Sequence, residues 1–308
     1  MKKYLRLFKN HDDYLDFKKT NDFKLPNISH CEQENEVHYS PYISPYNGHA
    51  YVDLGLTTGT KWAKMNVGAS SETDRGLYFA WGETQGYTAS QVGSHKVFRW
   101  SDYKFNPIGD GRTFTKYNAS DKKTHLELID DAAHVNWGGD WHMPNRTQCL
   151  ELLKETKNGY VTSTGAFTQF AWNDSHGYSS PTSTTATISG WNTIGYFFFK
   201  KSYTSVTEAI SHKDYLFIPN AGYYQNGEFV GVRSYDSGVW ASALDSRGVE
   251  YAWHLGFGSG RAGFGNDSRY YGLPVRGVVG HKNEAALPYN SIQGGEVTPS
   301  NPEVGELS

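Results

Sequence analysis

From about Gly48 to Gly280 the chain is never apolar for long: short aromatic runs are cut again and again by glycine and other turn residues. Such a pattern forms short strands joined by loops, with few helices. The composition agrees, since 308 residues include 33 Gly, 22 Tyr, 16 Phe and 9 Trp. Tyr and Gly enrichment with 3 Met and 2 Cys is unusual for a metabolic enzyme and suits a loop-rich protein that displays surface. No stretch approaches the roughly 18 consecutive apolar residues of a membrane helix, so membrane insertion is not expected. The net charge of −3 lacks the excess of basic residues expected of a nucleic-acid binder. Cys31 and Cys149 are too few for a disulfide scaffold or a four-cysteine zinc site.

Three zones follow. Residues 1–47 are polar and charged, with a short helix expected around His11–Lys19 and a loop carrying Pro26, Pro41 and Pro45; too small for a core, this segment should dock onto a partner. Lys2 and Lys3 are not followed by a signal peptide's apolar run, because Lys9, His11, Asp12 and Asp13 interrupt it. The expectation is synthesis in the cytoplasm without a signal peptide. Residues 48–280 form the domain, and residues 281–308 have the composition of a tail. Within the domain, Ala50–Leu56, Tyr196–Phe199, Tyr215–Ile218, Trp253–Phe257 and Pro274–Val279 read as strands. Asn145 and Gln148 have capping-box spacing, and Cys149, Leu150, Leu152 and Leu153 give the helix that follows an apolar stripe. Cys149 is then a buried small hydrophobe. The class is α+β.

Five motifs in order carry a resemblance: Tyr51–Gly68, Tyr78-Phe-Ala-Trp-Gly-Glu83, Trp137-Gly-Gly-Asp-Trp-His-Met-Pro144, Pro219-Asn-Ala-Gly-Tyr223 and Arg269–Val278. Together they resemble a domain abundant in gut anaerobes and their phages, related to the formylglycine-generating-enzyme branch of the C-type lectin fold. That branch supplies the variable proteins of diversity-generating retroelements, including phage tropism determinants. Phe8–Tyr39 also resembles a leader on virion proteins of gut phages. The resemblance implies a C-type lectin fold with short antiparallel strands and long Gly/Tyr-rich loops, its opening strand at Tyr51–Leu56 paired with its closing strand at Pro274–Val279. It further implies a non-enzymatic, tail-associated virion protein, trimeric as such determinants usually are. Its N-terminal segment would hold other virion proteins, and its variable face would bind a bacterial cell-surface protein or glycan. No cofactor or metal is expected.

Adenine-directed mutagenesis of AAC or AAT codons cannot produce Lys, Gln, Glu, Met or Trp. Ser242–Leu273 holds no Lys, Gln or Met, only Glu250 and Trp253 from that set, and Asp214–His281 holds no Lys where the chain average predicts about four. The variable region is placed at about residues 239–279. In Trp253–Gly258, alternation assigns Trp253, Leu255 and Phe257 to the core and His254, Gly256 and Gly258 to a ligand. Arg269, Gly272, Val275 and Arg276 make a similar frame. The expected ligand-binding residues are Asp245, Ser246, Arg247, Tyr251, His254, Gly256, Gly258, Arg261, Phe264, Asn266, Asp267, Ser268, Tyr270, Tyr271 and Leu273, with Glu250 a fixed neighbour. Tyr, Ser, Gly and Asn are the residues antibody loops use, and Tyr251, Phe264, Tyr270 and Tyr271 are the expected anchors.

Other readings compete with this one. The formylglycine-generating activity that the resemblance brings to mind needs a cysteine pair, which Cys31 and Cys149 do not supply. Trp172-Asn-Asp174 matches the calcium motif of sugar-binding lectins, but its companion motif is missing upstream and a turn explains it. Asp130, Asp131, His134, Asp140 and His142 lie close in sequence without ligand spacing. A fixed virion decoration or adhesin of the same fold, without diversification, is the alternative nearest in kind.

Overall fold

The computed structural model describes residues 46–231 and 237–280. The expected N-terminal helix, the attachment segment up to Pro45, Cys31 and the tail from His281 lie outside them. Fifteen strands, three α-helices and three single-turn 3-10 helices make up the regular structure among the described residues. In chain order they are β1 (Tyr51–Val52), β2 (Lys61–Ala63), β3 (Tyr78–Phe79), α1 (Ala132–Trp137), α2 (Arg146–Glu155), β4 (Thr156–Val161), β5 (Ala166–Asn173), β6 (Tyr178–Thr187) and β7 (Gly195–Lys200). Next come α3 (Val206–Ser211), β8 (Tyr215–Pro219), β9 (Tyr223–Gln225), β10 (Glu228–Val230), β11 (Ser237–Leu244), β12 (Tyr251–Phe257), β13 (Ala262–Ser268), β14 (Leu273–Pro274) and β15 (Val278–Val279). The chain is therefore mainly sheet. No described helix is long and apolar enough to cross a membrane.

One antiparallel sheet of eight strands, ordered β11-β12-β13-β6-β5-β4-β7-β8, dominates. Alternation along its strands sends side chains to opposite faces. On β7, Tyr196 and Phe198 enter one cluster with Cys149, Leu152 and Leu153 of α2, while Phe197 and Phe199 enter another with Val206 and Ala209 of α3. Each buried Phe contributes roughly 1.5–3 kcal/mol of transfer free energy. A third, larger cluster gathers the loop aromatics Trp81, Phe98, Tyr103, Tyr117 and Trp141 around Trp240 of β11. The expected cap on α2 is present: Asn145 Oδ1 accepts from Gln148 N–H at 2.9 Å, and Gln148 Oε1 accepts from Asn145 N–H at 2.9 Å. Cys149 is fully buried, and burial raises its thiol pKa, which keeps it protonated.

The two ends of the described domain meet differently from expectation. Val52 of β1 and Val278 of β15 both pair with Trp62, so β2 lies between the opening and closing strands. The opening strand is also shorter than Ala50–Leu56, and the closing segment is broken between β14 and β15. Between them, Arg276 turns its buried guanidinium inward to Asn66 Oδ1 and to the carbonyls of Ala63 and Phe217. Burial lowers its pKa to about 9, so it keeps its charge at neutral pH.

Candidate functional site

The segment expected to be variable runs through β11, β12 and β13 and the loops that follow them. Every residue of β11 is buried, because the sheet there has a core on both sides. On one face Val239, Leu255, Phe257 and Ala262 join the cluster that packs on α2. On the other, Trp240 lies in the loop-aromatic cluster and His254 packs edge-on against it, ring centroids 6.3 Å apart.

This two-sided burial corrects several expectations. His254 is only 9% exposed. A Cβ on Gly238, Gly256 or Gly265 would meet its ring at 2.8, 2.9 and 2.3 Å respectively, so three glycines form its bed. Its Nδ1 lies 3.2 Å from Asp267 Oδ2 without hydrogen-bond geometry, and burial lowers its pKa, which favours the neutral ring. Asp245 is buried as well; it accepts from Arg247 N, Nε and Nη2 at 2.8–3.0 Å and from Asn266 Nδ2, and so acts as a loop anchor. Leu273 pairs with Phe79 in the core, and Gly258 is a buried turn residue whose N–H donates to Arg261 O. Conversely, Trp253 is only partly buried and lies under the guanidinium of Arg146, 5.2 Å from its ring, as does Phe264 at 4.8 Å.

The remaining expected residues do reach the surface. Ser246, Arg247, Tyr251 and Arg261 are exposed, and Gly256, Phe264, Asn266, Asp267, Ser268, Tyr270 and Tyr271 are half-buried. Among them Tyr270 and Tyr271 belong to a row of four rings. Trp100 meets Tyr270 edge-on at 4.6 Å, Tyr270 meets Tyr271 edge-on at 4.8 Å, and Tyr271 stacks on Tyr223 at 5.2 Å with their planes 6° apart. Tyr251 and Asp267 are near enough to act on the Tyr270 hydroxyl electrostatically, and Asn226 bonds it. Burial, the leading cause in both cases, raises the pKa of Tyr270 and Tyr271, so both hydroxyls remain donors at neutral pH.

A buried cation holds this row in place. The Arg269 guanidinium donates to the carbonyls of Tyr117, Val249 and Lys116 at 2.9–3.1 Å and to the Tyr103 hydroxyl at 2.9 Å. The rings of Trp81, Tyr103, Phe105, Phe114 and Tyr117 surround it within 4.5–5.8 Å. The residues next in the chain, Tyr270 and Tyr271, are thereby fixed as a rigid amphipathic patch. Sequence reasoning did not assign Trp100, Tyr223 and Asn226 to this patch; Tyr223 closes one of the motifs above, whereas Trp100 carries no local signal.

The residues behind the competing readings have structural partners. Trp172-Asn-Asp174 ends β5 and begins a turn, where Asn173 Oδ1 accepts from Ser175 N–H and Asp174 Oδ1 accepts from Trp172 Nε1 and Lys154 Nζ. Asp130 is held by Lys104, Lys116 and Tyr117, and Asp131 caps α1 and accepts from Met143 N–H. Among the described residues no group of three or more His, Cys, Asp and Glu side chains could hold a metal. Comparison with family models, with curated proteins and with solved structures finds no match.

Proposed function

We propose that the chain is a non-enzymatic binding protein of the C-type lectin fold. It serves as a retroelement-diversified receptor-binding protein of a phage virion and recognises a bacterial surface ligand. The observation that carries this reading is the aromatic row. Two rings from the diversifiable segment stand beside Trp100 and Tyr223 from distant parts of the chain, half-exposed and braced from below. Rigid tyrosines give contact area at little entropic cost, and aromatic anchors dominate binding hot spots. The contact face is Ser246, Arg247, Tyr251, Asp267, Ser268, Tyr270 and Tyr271, without the buried Asp245, His254, Gly258 and Leu273. The meeting of β1 and β15 on one central strand agrees with a domain whose ends close together. Attachment to other virion proteins through the N-terminal segment, and a homotrimer that raises avidity, belong to the same proposal.

The test is adsorption of the full-length protein to cells of the bacterium that carries its ligand. Replacing Tyr270 and Tyr271 together with Ala should lower cell binding at least about tenfold, since two anchors of roughly 2 kcal/mol each are removed. An unchanged melting temperature would show that the fold survives. Unaltered adsorption by that double variant would place the binding face elsewhere.

A further inference from the structure

A cleft of about 250 Å³ opens at the ends of β7 and β8. That volume holds roughly eight waters at about 30 Å³ each, the space of one sugar ring rather than of an oligosaccharide. Buried Asn220 and Pro219, half-buried Ile194 and Thr193, and exposed Arg75, Ser163 and Asn192 line it.

Two features of this cleft point to a ligand. The first is Asn220, which is 5% exposed and has no hydrogen-bond partner for its Oδ1. Its backbone N–H is satisfied by Ile194 O at 2.9 Å, and its side chain also bonds the Tyr160 hydroxyl, which leaves the carbonyl oxygen over. A buried acceptor left without a donor costs about 1–3 kcal/mol, so a donor from a bound molecule would recover that loss. The second is Arg75. It is exposed, lies over the Phe229 ring at 5.4 Å and bonds the Tyr78 hydroxyl, and it pairs with no carboxylate among the described residues. The adjacent Asp74 is not its partner, since both its oxygens are taken by Ser70 and Gly76 of the same loop.

We infer that this cleft binds a single acidic sugar residue, its carboxylate on Arg75 and one hydroxyl donating to Asn220 Oδ1. A guanidinium recognises a carboxylate with two parallel hydrogen bonds. The Ser163 and Thr193 hydroxyls and the Asn192 amide can both donate and accept, as a polyol requires, and Ile194 offers an apolar surface to the ring. A bare anion would use Arg75 and leave Asn220 unsatisfied. A neutral sugar would do the reverse. Only a ligand with both groups uses both features, and this site does not depend on the aromatic row.

The experiment is saturation-transfer NMR titration of the full-length protein with D-glucuronate, methyl β-D-glucuronide, D-glucose and acetate. Glucuronate should bind saturably with Kd in the range of about 1 mM, glucose at least about tenfold more weakly, and acetate without saturation. Arg75→Gln and Asn220→Ala should each weaken glucuronate at least tenfold, with the melting temperature of each variant measured alongside to show that the fold survives. Equal binding of the methyl glycoside assigns the site to a terminal residue of a glycan, and its exclusion assigns it to the free sugar; either result upholds the site. The inference is overturned if wild-type protein shows no saturable glucuronate binding. It is also overturned if acetate binds as well as glucuronate, or if Arg75→Gln binds glucuronate as wild type does.

Discussion

Arg269 shows how one residue can decide a surface it does not itself reach. Its guanidinium is fully buried, satisfied by three carbonyls and one hydroxyl, with the aromatic rings around it in place of a counter-ion. Ring faces attract a cation, and a desolvated contact of this kind is worth about 2 kcal/mol or more. Removing the guanidinium would leave several buried acceptors without donors, at roughly 1–3 kcal/mol each. Arg269→Met should therefore destabilise the protein by at least about 3 kcal/mol in urea unfolding. Arg269→Lys should recover only part of that loss, because an ammonium cannot span the same fork of acceptors. A loss under about 1 kcal/mol for the Met variant would show that the cage is not what supports the loop. The sequence analysis sets Arg269 in a candidate frame beside Tyr270 and Tyr271, and its side chain is fully buried. The identity of its partners was not legible, since Lys116, Tyr117 and Tyr103 lie some 150 residues away and no local pattern links them.

Among the elements, agreement with the sequence follows how local the cause is. The start of α2 was legible because Asn145 and Gln148 are three residues apart and satisfy each other's backbone. β7 and β8 were legible because an unbroken aromatic run is what a strand buried on both faces needs. β12 was misjudged for a related reason: alternation was taken to mean one wet face, but the loop-aromatic cluster covers the His254 side near β11. What makes room for His254 is glycine. Gly238, Gly256 and Gly265 on three adjacent strands leave space that any Cβ would fill. Gly265→Ala should destabilise by about 1–3 kcal/mol, the usual cost of overpacking a tight site. In a His254→Ala background the same substitution should cost at least about 1 kcal/mol less, because the ring it strikes is gone. Additive losses in that double-mutant cycle would mean that the glycines serve the backbone and not the histidine.

At the scale of the whole molecule, three hydrophobic clusters could suggest three separately melting parts, and the strands argue against it. Trp62 belongs to the cluster on α2, and its neighbour Ala63 to the loop-aromatic cluster. Val239 and Ala241 face one core, and Trp240 between them faces another. Tyr196 and Phe198 alternate in the same way with Phe197 and Phe199. Each cluster thus shares backbone with a neighbour, and β2, which joins both ends of the described domain, serves two of them. A perturbation in one cluster should therefore reach the others at nearly full strength. Phe198→Ala removes a fully buried ring from the α2 cluster at a cost of about 3–5 kcal/mol. Fluorescence is weighted toward the loop-aromatic cluster, which holds Trp81, Trp137, Trp141 and Trp240, whereas far-UV circular dichroism reports mainly on the strands. The urea midpoints from both probes should coincide in the wild type and fall together in Phe198→Ala, as one cooperative transition requires. If the tryptophan signal kept its midpoint while the dichroism shifted, the loop-aromatic cluster would be an independent unit. The aromatic row would then rest on that cluster alone, and substitutions in the α2 cluster would leave ligand binding intact.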